Sequence, residues 1–141
     1  DGMELQKKGK EFGATTGRAR RCGWFDLIAA KYSVEINGLT NIALTKLDIL
    51  DNFNEIKVCI GYEYNGETTS NFSKVINNLK DVKPKYKTFN GWAQDTSKVT
   101  NYNDFSTSVK EYIEFLSNEL GVPISIISIG PRRNQIIQIE T

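Results

Sequence analysis

The sequence predicts an α/β fold, a mixed sheet with flanking helices, on three observations. The apolar runs "IKVCIGY" and "VPISIISIGPRR" are rich in β-branched residues and read as buried strands. "FSTSVKEYIEFLSNELG" sets Phe105, Val109, Tyr112, Ile113, Leu116 and Leu120 at i+3/i+4 spacing, the stripe of an amphipathic helix. Helical and strand patterns alternate with no repeat, low-complexity tract or linker between them, so residues 1–141 read as one unit.

The elements follow in order. "MELQKKG" is helix-prone and ends at Gly9, which suits a left-handed cap. Asp26 is placed to N-cap "LIAAKYSVEI", and Gly38 to stop it. "NIALTKLDIL" reads as a strand broken by Thr45-Lys46, followed by the strand "IKVCIGY". Asn65-Gly66 sits between polar flanks, the dipeptide of a two-residue hairpin turn whose central positions both need positive φ. From there to "KYKTFNGW" the chain is polar and punctuated by Pro84, Asn90 and Gly91, which predicts mostly loop with some strand. After the long helix, capped by Gly121, one strand ends at Gly130-Pro131, and "QIIQIE" is the last.

Charge excludes some functions. Eighteen Lys+Arg stand against 17 Asp+Glu, a net charge of +1, far from the excess that non-specific nucleic-acid binding needs. No stretch approaches the ~18 apolar residues of a membrane span, and the N-terminal "DGMELQKKGK" lacks the apolar region of a signal peptide, so a soluble, cytoplasmic protein is expected, with no membrane or nucleic-acid partner. Cys22 and Cys59 suit free thiols in a reducing compartment. There is no His, so acid–base chemistry near neutral pH would fall to carboxylates or to another polypeptide.

Three segments carry candidate chemistry. In "EFGATTGRARRCGWFD" the glycines permit close approach of backbone N–H groups, Thr15 and Thr16 bring hydroxyls, and Arg18, Arg20 and Arg21 bring forked guanidinium donors, a set suited to a small anion. It lacks the G-x-x-x-x-G-K-[ST] spacing of a P-loop, and composition alone leaves open an ordinary solvated loop. In "LTKLDIL" a carboxylate at Asp48 can accept from the ring N–H and exocyclic amine of guanine while the Lys46 stem covers the base, although the same letters suit a turn's solvated charges. "SIGP", Ser128 to Pro131, ends a strand, where α/β sheets bind ligands.

In this order, with "GLTNIALTKLDILD", "NGW" and "GVPISIISIGPRR", these segments resemble the adenylosuccinate synthetase family, GTP-dependent ligases that join L-aspartate to IMP. The resemblance covers most of the chain and is loose from about Gly66 to Lys85. It implies the C-terminal portion of a P-loop-like GTP-binding synthetase fold. It assigns Ala14, Thr15, Thr16, Gly17, Arg18, Ala19 and Arg20 to the aspartate/IMP site, with Arg18 also at the IMP ribose and Arg20 also near GTP. Lys46, Leu47 and Asp48 correspond to the guanine-reading segment, and Ser128, Ile129, Gly130 and Pro131 to the loop on the other edge of the base. GTP is then a co-substrate, and the complete enzyme is expected to be a homodimer.

Family members begin with a "GDEGKGK"-type phosphate loop, whose Asp serves as general base and Mg2+ ligand, and use a His as general acid. Neither motif occurs here. The resemblance therefore implies substrate and base recognition in this chain, with no catalytic residue and no metal ligand, and no activity by itself. A non-catalytic nucleotide- or RNA-binding module using "RARRCGW" and "PRR" is the alternative.

Overall fold

Two small sheets share one apolar cluster with a long helix. The computed structural model describes residues 1–139. The helices are α1 (Gly2–Lys8), α2 (Leu27–Asn37), α3 (Phe72–Val75) and α4 (Thr107–Leu120). The strands are β1 (Phe25–Asp26), β2 (Ile42–Leu44), β3 (Glu55–Tyr64), β4 (Glu67–Thr69), β5 (Lys83–Asn90), β6 (Ile124–Ser128) and β7 (Ile136–Gln138). Glu140, the last residue expected in the final strand, lies outside the described residues.

The predicted α/β class holds, as two sheets. In the first, β3 is central: it pairs parallel with β1 and antiparallel with β4 and β5. In the second, β6 is central, parallel to β2 and antiparallel to β7. The predicted stripe of α4 is buried, and Val109 and Leu116 join Ile56 and Val58 of β3 and Ile127 of β6 in the main core. Phe89 of β5 stacks edge-on to Tyr112 at 5.6 Å between centroids, fixing the first sheet against α4.

The caps and turns are largely as predicted. Asp26 Oδ1 accepts from the N–H groups of Ile28 and Ala29, both at 3.1 Å, and Gly38 (φ 57°) and Gly121 (φ 71°) end α2 and α4 in the left-handed conformation. Asn65 and Gly66, at φ 52° and 81°, make the β3–β4 turn. Cys22 and Cys59 are free thiols.

Three expectations are corrected. Gly9 closes α1 with right-handed φ −74°, and the positive φ falls on Lys10 at 49°. "NIALTKLDIL" is a strand only to Leu44; Lys46 turns left-handed at φ 62°, and Leu47–Leu50 is a 3-10 turn. The segment expected to be mostly loop holds β4, α3 and all eight residues of β5. Strand β5, "KPKYKTFN", pairs with β3 alone and is exposed along nearly its whole length. Lys and Pro are the residues of an edge strand, and they erase the apolar alternation by which a strand is read.

Candidate functional site: a cavity between two strand ends beside an arginine loop

Parallel pairing of β2 and β6 sets their C-terminal ends side by side, with Leu44 opposite Ile127. The segments that follow, Thr45 to Ile49 and Ser128 to Pro131, thereby become neighbours, as at the ligand-binding edge of parallel sheets. With the end of α1 they enclose a cavity of about 500 Å³ lined by Lys8, Gly9, Lys10, Thr45, Lys46, Asp48, Ile49, Ser128, Gly130 and Pro131. Of the residues assigned to the base, Lys46, Asp48, Ser128, Gly130 and Pro131 meet here. Leu47 and Ile129, each 1% exposed, are instead buried in the core and do not line the cavity. They anchor the two segments to the hydrophobic cluster.

Asp48 is the chemically pointed residue. Its Oδ1 is buried and has no hydrogen-bond partner among the described residues. Such an orphan acceptor is costly unless a donor arrives. Burial pushes its carboxyl above the ordinary value, the nearby charge of Asp51 adds to the rise, and its own backbone N–H and the Lys46 ammonium oppose it. The Ser128 hydroxyl donates to the Gly130 carbonyl at 3.1 Å, holding the opposite wall.

The arginine loop is a narrow hairpin. Phe12 bridges Ala19, the Gly13 N–H donates to the Arg18 carbonyl at 2.8 Å, and the Arg20 N–H donates to the Glu11 carbonyl at 2.9 Å. The tip is closed by the Gly17 N–H on the Gly13 carbonyl at 2.8 Å, with Gly17 at φ 65°, and by Thr16 Oγ1 accepting from the Arg18 N–H at 3.3 Å. Ala14 to Arg20 are all exposed. Among the described residues Arg18 has no carboxylate partner, so its guanidinium is available to an anion.

Glu11, which the sequence reading did not single out, joins loop and cavity. Its Oε2 accepts from Arg20 Nη1 at 3.0 Å, and its Oε1 accepts from Lys46 Nζ, which also donates to the Gly9 carbonyl at 3.0 Å. The Lys46 ammonium, then the Arg20 guanidinium, hold the Glu11 carboxyl below its ordinary value. The available signal was a carboxylate placed just before an arginine-rich hairpin. Its partner Lys46, however, is supplied by tertiary contact.

The "NGW" segment has a structural task. Trp92 Nε1 donates to Asp51 Oδ1 at 2.8 Å, and Thr96 donates to both Asp51 oxygens, also at 2.8 Å. A Cβ at Gly91 would drive into the Phe53 carbonyl, so only glycine lets the two backbones come this close. Among the described residues no cluster of three or more His, Cys, Asp or Glu could hold a metal ion, and no helix is long and apolar enough to cross a membrane.

Comparison with known proteins matches residues 1–137 to the family model described as adenylosuccinate synthetase. The chain is 49% identical over 136 residues to adenylosuccinate synthetase of Salinibacter ruber, covering 96% of this chain and 31% of that protein. It is 46% identical over 140 residues to the Zygosaccharomyces rouxii protein of the same name, at 99% and 32% coverage. The solved structure of fully ligated adenylosuccinate synthetase from Plasmodium falciparum superposes with a TM-score of 0.87 at 33% identity, over 99% of this chain and 34% of that one. The chain thus spans about a third of the length of the curated relatives it matches.

Proposed function

The chain belongs to the adenylosuccinate synthetase family, and on that premise we propose that the gene product carrying it joins L-aspartate to IMP at the expense of GTP, in the synthesis of AMP. The segment from Ala14 to Arg20 receives aspartate and IMP, with Arg18 and Arg20 as carboxylate-binding forks. The cavity between Lys46, Asp48, Ser128, Gly130 and Pro131 receives the guanine of GTP. The carrying observation is Asp48, which lines that cavity and whose buried Oδ1 has no hydrogen-bond partner among the described residues. An ionised carboxylate only accepts hydrogen bonds, and guanine is the purine that offers a ring N–H and an exocyclic amine on one edge.

The reaction transfers the GTP γ-phosphoryl group to the IMP oxygen, after which the aspartate amine displaces phosphate. Both steps build negative charge, and this chain contributes position and cationic groups, the chief terms in phosphoryl transfer. Mg2+ does not fit the described residues, which hold no cluster of three or more acidic or other metal-ligating side chains. The same reading makes the enzyme a cytoplasmic homodimer and leaves general acid and base outside this chain, which has no His.

The test exchanges acceptor for donor. Xanthine keeps the ring N–H and carries an oxygen in place of the amine, so Asp48→Asn should match it. GTP efficiency should fall by about 10-fold or more, the scale of one charged hydrogen bond, while XTP gains relative to GTP. The quantity measured is the XTP/GTP ratio of kcat/KM in variant and parent. An unchanged ratio would remove guanine from this cavity.

A further inference from the structure

Two carboxylates compete for one ammonium. Asp48 and Lys46 line the same cavity, separated by a single residue, yet Lys46 Nζ does not pair with Asp48; it is held by Glu11 Oε1 and the Gly9 carbonyl. Glu11 is itself fixed from its other side by Arg20 at 3.0 Å, so it cannot swing away without breaking a second ion pair. The consequence is visible at Asp48, whose buried Oδ1 stays unpaired among the described residues. Left alone, a half-buried carboxylate whose neighbour in the same cavity carries an ammonium would pair with it, because that pairing removes the cost of the orphaned acceptor.

We propose that Glu11 is a positioning residue that withholds the Lys46 ammonium from Asp48 and so keeps the Asp48 carboxylate open for the guanine edge. This rests on the guanine reading of the cavity. With its ammonium held by Glu11 and the Gly9 carbonyl, Lys46 has its methylene stem left to cover a base. Without Glu11, Lys46 closes on Asp48, and the cavity loses the acceptor that distinguishes guanine from a base without the exocyclic amine.

Hypoxanthine lacks that amine, so the GTP/ITP ratio of kcat/KM reads the state of Asp48. The ratio is measured in the native gene product carrying this chain, as parent, Glu11→Gln, Lys46→Met and the double variant; Met keeps the stem and removes the ammonium. Glu11→Gln should lower the preference for GTP by about 10-fold, the scale of one charged hydrogen bond. In the Lys46→Met background the same change should lower it less than about 2-fold, because no ammonium is left to misplace. A loss of equal size in both backgrounds, or an undiminished preference in Glu11→Gln, would overturn the proposal. A merely structural role of Glu11 predicts the first of these results. Glu11→Asp, with the charge on a shorter stem, should lose part of the preference and serves if the amide variant fails to fold; full retention there and in Glu11→Gln overturns the idea equally. A parent that shows no preference for GTP over ITP would overturn the guanine reading itself, and the inference with it, whereas a GTP-selective parent with additive variants overturns the inference alone.

Discussion

Asp48 is asked to be charged while half-buried, and stability records the conflict. Its carboxyl pKa is raised above 3.8, chiefly by burial, so the folded state holds the proton more firmly than the unfolded chain does. The sign follows: stability tied to this group is complete below the unfolded pKa and is lost as pH rises through the raised folded value. At neutral pH the folded protein therefore carries a cost that an uncharged amide avoids. Asp48→Asn should raise the melting temperature at pH 7, and the gain should shrink towards zero as pH falls below 3.8, where both side chains are neutral. Thermal melts of parent and variant across that range check it; a lower melting temperature for the variant at pH 7 would contradict it. Gain of stability with loss of GTP use is the pattern of a residue kept for binding at the expense of the fold.

At the level of elements, Asp26 holds two together. Its Oδ1 caps α2 through the N–H groups of Ile28 and Ala29, while Oδ2 accepts from the Tyr62 hydroxyl of β3 at 2.6 Å. Burial, then the Asp26 carboxylate, push the Tyr62 phenol well above its ordinary range, so it stays a neutral donor at any physiological pH. Asp26→Ala removes the cap, worth about 0.5–2 kcal/mol, and orphans a buried hydroxyl, worth about 1–3 kcal/mol. The summed loss should be about 1.5–5 kcal/mol, whereas Asp26→Asn, which keeps an oxygen for the cap, should lose less. Urea denaturation midpoints of the three proteins decide this, and a loss under about 1 kcal/mol for the alanine variant would mean that the cap and the Tyr62 bond do not stabilise the fold as argued. The cap was legible as Asp before a helical run, but the Tyr62 partner was not, because it comes from a strand distant in sequence.

For the whole molecule, the proposal divides recognition from catalysis. The chain has no His, and no metal-binding cluster occurs among its described residues, while the arginine hairpin and the cavity are fully formed. The 141-residue chain supplied with GTP, IMP and L-aspartate should therefore form no adenylosuccinate. Product formation above an enzyme-free control would show that acid, base and metal ligands lie within it.

The sequence by itself determined whatever a few consecutive residues encode. The α4 stripe, the Asp26 cap, the positive-φ turn at Asn65-Gly66 and the buried strands around Val58 and Ile127 are local periodicities or φ preferences, and the structure carries each of them. The segments "GATTGRAR", "TKLD" and "SIGP" were likewise legible as candidate sites. Tertiary structure alone decided that Asp48 lines one cavity with Ser128 and Gly130, because only parallel pairing of β2 with β6 brings those loops together. It decided that Leu47 and Ile129 are anchors, since burial depends on what packs against a turn. It made "KPKYKTFN" a strand, because an edge strand is held by the hydrogen bonds of its neighbour β3 and needs no apolar face of its own. And it brought Glu11 to Lys46, a contact between residues far apart in the chain that no local pattern encodes.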